Sequence, residues 1–145
     1  MLAAHGAARH WAFPLHAILL AFPIALFTAG VLTDLAYLKT AHVQWTNFSS
    51  WLIAGALVFG GVVGAWAIID LILGWRGTQR RRSAVYVAVL AAMWILGLIN
   101  AFHHTHDAWT SVGTSGLVMS IVTALLALVA GFIAYSAPTA REIAR

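Results

Sequence analysis

Residues 51–69 and 84–102 are two runs of nineteen residues without a single charged side chain. Coiled as helix, nineteen residues rise about 28 Å, close to the roughly 30 Å of hydrocarbon in a bilayer. Two further apolar stretches, at 12–37 and 114–136, have the same character. Each carries at most one Asp near an end. Only 8% of the chain is charged and 62% is hydrophobic, against about 25% charged in a soluble domain. So few charges cannot cover a water-facing surface. The chain therefore reads as all-α, a single integral membrane domain over residues 1–145. Its four-helix bundle has helices at about 12–37, 48–74, 84–102 and 114–136.

Charge placement sets the expected orientation. Four spans bring both termini and the middle loop to one side. That side holds Arg9, Arg76, Arg80, Arg81, Arg82, Arg141 and Arg145, while the other holds Lys39 alone. The positive-inside rule then places both termini on the cytoplasmic side, in a multi-pass arrangement. Trp11, Trp75, Tyr86 and Tyr135 fall at the inner interface. Tyr37, Trp45, Trp51 and Trp109 fall at the outer one, and Trp66 and Trp94 lie deeper as packing residues. This basic balance answers to topology, not to nucleic acid. The first apolar run is longer than a signal-peptide core and has no small-x-small cleavage site after it. The absence of cysteine excludes disulfides, thiolate metal sites and a cysteine nucleophile.

Within the first helix, His16 and Asp34 are 18 residues apart, five turns of helix, so they share a face about 27 Å long. Leu20, Pro23, Phe27 and Gly30 continue that face between them. Pro14 suits a first turn, and Pro23 breaks the backbone ladder in the interior. Asp34 and Asp70 are the only acids in the expected helices, and an ionised Asp at mid-bilayer costs about 2.5–3.5 kcal/mol on insertion scales. His16 with Asp70 at the inner end, and Asp34 with Asn100 at the outer end, are the candidate polar sites, either as structural clasps or as cofactor contacts. Ala56, Gly60 and Gly64 form a small-residue stripe that lets another helix approach closely. Thr46 or Asn47 is expected to cap the second helix, Ser83 the third, and Thr114 or Ser115 to open the fourth.

His103, His104, His106 and Asp107, with His42 in the adjacent outer loop, are the candidate metal ligands. Imidazole and carboxylate suit zinc or copper. A b-type haem wants two histidines facing each other at one depth, and here those come from His16 or from the outer loops. Gly113-Thr114-Ser115-Gly116 is not a nucleophile elbow, and no phosphate loop or H-E-x-x-H is present. The sequence therefore offers no catalytic constellation.

Phe13-Pro14-Leu15-His16, then Ala21-Phe22-Pro23-Ile24-Ala25-Leu26 and Thr33-Asp34-Leu35, resemble the opening helix of the bacterial membrane proteins of domain of unknown function 2231. Ala67-Ile68-Ile69-Asp70, the basic loop and Leu98-Ile99-Asn100 are similar to later parts of that family. The family's opening is richer in histidine. Phe13, Ala17 and Ala21 stand at the matching positions here, so His16 alone carries over. The resemblance implies four helices and an association with redox components such as Rieske-type and cytochrome proteins. Three functions follow as expectations. The first is a non-catalytic accessory or anchor subunit of a respiratory or photosynthetic electron-transfer assembly, in the bilayer with other membrane subunits and with a quinone-type site at its polar edges. The others are a b-type haem electron carrier and a metal- or proton-handling protein.

Overall fold

A computed structural model describes residues 2–74, 79–105 and 112–136, with side chains from Pro14 onward. Four helices follow one another: α1 (Leu2–Thr40), α2 (Val43–Leu73), α3 (Arg80–His104) and α4 (Thr114–Tyr135). Pro14–Thr40 of α1 and the whole of α2, α3 and α4 are each long and apolar enough to cross a membrane. Each helix packs on the next, and α4 returns to α1, so the bundle is an up-down-up-down ring. The α1–α2 and α3–α4 connections lie at one end, called here the hairpin end. The chain termini and the α2–α3 connection lie at the other, the terminal end.

One spacing organises the interior. The buried positions are Leu20, Pro23, Phe27, Gly30 and Asp34 on α1 and Thr46, Ser49, Ile53, Ala56, Gly60, Val63 and Ala67 on α2. On α3 they are Leu90, Met93, Gly97, Asn100 and His104. Each series alternates steps of three and four residues. The seam along α4 (Gly116, Ser120, Thr123, Ala127, Ala130) does the same in steps of four and three. That alternation keeps one narrow stripe facing the axis, as in a coiled coil. Outward positions carry large apolar side chains such as Trp51, Leu73 and Phe132, which are 79%, 80% and 75% exposed. Apolar groups outside and Asp34, Asn100 and His104 inside are the arrangement that lipid, not water, favours.

Small residues set how closely the helices approach. A methyl built on Gly60 would stand 3.1 Å from Met93 Cε, and one on Gly131 would stand 2.8 Å from Ile24 Cδ1. Ala56 and Gly60 thus serve contacts inside the bundle, whereas nothing lies within 4 Å of a methyl on Gly64.

The helix ends differ from the sequence expectation. α1 starts at Leu2, which puts Pro14 inside the helix instead of in its first turn. The loop expected at residues 39–47 shrinks to Ala41 and His42, and Thr46 and Asn47 fall inside α2, whose N-cap is His42. Those residues look like loop because they are polar, but Thr46 and Ser49 turn their side chains inward. Gln79, not Ser83, caps α3, and α4 opens at Thr114 as expected after Gly113. Trp75, Arg76, Trp109, Pro138 and the tail arginines lie outside the described residues, as do the side chains of Arg9 and Trp11.

The two-residue turn forces one strained backbone. Ala41 has φ 55°, and its N–H closes back on the Tyr37 carbonyl at 2.7 Å. A left-handed alanine costs roughly 1–2 kcal/mol that glycine does not pay. Ala41→Gly is expected to raise stability by about 1 kcal/mol, measured by reversible denaturation in mixed micelles.

Candidate functional site

Polar seam positions from all four helices meet near the hairpin end. Asp34 stands six residues before the end of α1, about 9 Å along the axis, and is fully buried. Ser49 of α2 donates to its Oδ1. Ser120 of α4 donates to its Oδ2 at 2.6 Å. His104 of α3 brings Nε2 to 3.0 Å from Oδ1. α1 and α3 are diagonal in the ring, so only long side chains cross between them. The Asp34–His104 pair does so at the axis.

Further hydrogen bonds hold these groups in place. Asn100 donates from Nδ2 to Ser120 Oγ at 2.8 Å, and its backbone carbonyl lies 2.9 Å from His104 Nδ1. Thr33 Oγ1 lies 2.6 Å from Ser49 Oγ and 2.9 Å from the Gly30 carbonyl. Among the described residues, Asn100 Oδ1 and Thr46 Oγ1 are buried without a hydrogen-bond partner.

The proton inventory follows from the acceptors. A carbonyl faces His104 Nδ1, so that nitrogen carries hydrogen. Nε2 and Asp34 Oδ1 then share one proton, either as imidazolium and carboxylate or as two neutral partners. In both forms the centre is neutral overall, and in both the serine hydroxyls can stay on the carboxyl oxygens. Adding or removing one proton leaves an uncompensated charge in an apolar bundle. Holding a proton under that constraint is the chemistry the arrangement supports.

The structure sorts the candidate residues differently from their sequence grouping. Asp34 and Asn100 come together, joined through Ser120. His104, grouped in the sequence with the loop metal ligands, instead turns inward, and both its ring nitrogens are engaged. A metal or haem iron needs a free ring nitrogen, so His104 as placed does not fit that role. His42 is exposed, His103 is half-buried, and His106 and Asp107 lie outside the described residues. Among the described residues no three His, Asp or Glu side chains gather as a metal site.

At the terminal end the candidate pair of His16 and Asp70 is not brought together, and His16 meets aromatic side chains instead. His16 Nε2 lies 3.4 Å from the Tyr86 hydroxyl, and its ring meets Trp66 edge-on at 5.7 Å. Asp70 is exposed. The reason is axial: Asp70 continues the α2 seam three residues past Ala67, but it lies beyond the last buried position of that helix. His16 and His104 therefore stand at opposite ends of the bundle, which leaves no facing pair for a bis-histidine haem between them.

Ser49 and Ser120 were not singled out in the sequence. Their signal was available, since a polar residue occupies the same seam and depth on every helix.

A family model described as "Predicted membrane protein (DUF2231)" matches residues 12–136. The chain belongs to the domain of unknown function 2231 family. Within this DUF2231 chain the matched stretch holds every residue of the buried centre. No curated protein and no solved structure matches it.

Proposed function

We propose that this DUF2231 protein is a non-catalytic membrane subunit that handles a proton at the Asp34–His104 centre. One observation carries the reading: a fully buried carboxyl–imidazole pair at 3.0 Å, supported by hydroxyls from the two remaining helices, inside an otherwise apolar bundle. Ionisable groups inside a membrane are expensive, and proton relays are a principal reason they are kept. A buried ion pair is also weak as a stabilising device in itself. The groups that meet the Asp34 carboxyl are His104 from α3, Ser49 from α2 and Ser120 from α4.

The setting is the accessory role in an electron-transfer assembly that the family resemblance implies. Quinone chemistry moves protons with electrons, and a subunit that stores a proton beside such a site needs no cofactor of its own. In this reading the arginine-bearing terminal end faces the cytosol of a bacterial inner membrane.

The test is infrared difference spectroscopy between two pH values on the reconstituted protein, paired with amide hydrogen exchange. The expected result is a carboxyl change lost in Asp34→Asn, accompanied by faster exchange at residues 30–49 in the wild type alone. Asp34 and His104 signals that stay constant wherever the protein is folded would make the centre a structural clasp and end the proposal.

A further inference from the structure

We infer that the terminal end carries a binding site for one anionic phospholipid, in the groove between the start of α3 and the end of α4. The groove has a volume of about 530 Å³ and is lined by Arg81, Arg82, Val85, Phe132, Ile133 and Ser136. That volume is within the range of small-molecule sites. Its two halves differ in chemistry. Val85 and Phe132 are 48% and 75% exposed and form an apolar wall on the lipid-facing surface. Arg81 and Arg82 sit above that wall, at the first turn of α3. A molecule that fills both halves has an acyl chain below and a negative charge above, and that is an anionic lipid in its normal depth and orientation.

The arginines divide the work. Arg82 is half-buried and donates to the Ile133 carbonyl in the last turn of α4, where helix carbonyls lack intrahelical partners. That bond fixes its guanidinium across the groove and ties α3 to α4. A guanidinium has five N–H donors, so one bond to a carbonyl leaves others for a phosphate. Arg81 is exposed beside it and supplies a second positive charge. Basic pockets between spanning helices are where acidic headgroups are held. The site is independent of the proton centre, which lies at the opposite end.

Native mass spectrometry of the full chain in detergent tests this. The probes are phosphatidylglycerol, phosphatidylcholine with the same acyl chains, and inorganic phosphate. Phosphatidylglycerol is expected to be retained over phosphatidylcholine. Arg81→Gln is expected to weaken that retention about fivefold, as for the loss of one basic residue at an anionic surface. Arg81→Lys should keep it, and Lys39→Gln at the hairpin end should leave it unchanged. Phe132→Ala should weaken both lipids together. Equal retention of the two lipids, or equal effects of Arg81→Gln and Lys39→Gln, would overturn the site. Displacement of phosphatidylglycerol by inorganic phosphate at equal concentration would make it a free-anion site and overturn the lipid assignment.

Discussion

Asp34→Ala is expected to lower the stability of the bundle by about 3–5 kcal/mol, the cost of removing one partner of a buried pair. The substitution strips the shared partner from three groups at once. His104 Nε2, Ser49 Oγ and Ser120 Oγ all end on the Asp34 carboxyl. Each buried donor left without an acceptor costs about 1–3 kcal/mol. Because the three come from α2, α3 and α4, the loss loosens the whole hairpin end instead of one helix pair. Asp34→Asn keeps the volume and one carbonyl oxygen, so its loss should be smaller. The double variant Asp34→Leu/His104→Leu should recover most of the loss, since apolar replacement of both partners is often nearly neutral. Reversible unfolding in mixed micelles reads these proteins together with the single variants Asp34→Leu and His104→Leu. Single losses at Asp34 and His104 that simply add in the double variant would show that the two side chains do not interact.

Gly97→Leu is expected to cost about 1–3 kcal/mol or to displace α3 from its neighbours. A methyl alone at this position would stand 2.9 Å from Phe27 Cζ and 3.1 Å from Leu57 Cδ2. Phe27 is almost fully buried and its ring is rigid, so it has nowhere to go. Gly64→Ala is the control on the facing helix. Nothing lies within 4 Å of its added methyl, and removing a mid-helix glycine gains about 0.5–1 kcal/mol. The contrast separates glycines that a neighbour requires from one that only shares their spacing. Equal effects at the two positions would contradict the close approach of Phe27 to α3.

The same contrast shows what could be read from the sequence. The inward face of α1 was legible as Leu20, Pro23, Phe27, Gly30 and Asp34, because apolar and small residues recur there at helical spacing. Number and class of helices were legible too, since uncharged runs of membrane length have one main solution. The stripe at Ala56, Gly60 and Gly64 was only half informative. Spacing marks a close approach, but which glycine meets a side chain depends on how α3 sits on α2.

The polar centre was harder. Asp34 and Asn100 drew attention because polar side chains are rare in spanning helices. Ser49 and Ser120 are legible only when the seams of all four helices are aligned, since a serine taken on one apolar helix by itself stands out little. His104 was misgrouped with its sequence neighbours. A run of histidines at a helix end looks like a loop cluster, yet α3 stays helical through His104 and turns that one ring to the axis. His16 and Asp70 share a depth, but Asp70 stands past the last buried position of α2, and depth alone does not make a contact.

Solid-state NMR on the reconstituted protein, with carboxyl carbon-13 in aspartate and nitrogen-15 in histidine, tests the central claim most directly. The account predicts that the Asp34 carboxyl carbon is dephased by His104 Nε2 at the range of a direct hydrogen bond, with Nδ1 protonated toward the Asn100 carbonyl. An Asp34 carboxyl that shows no histidine nitrogen within that range would contradict it.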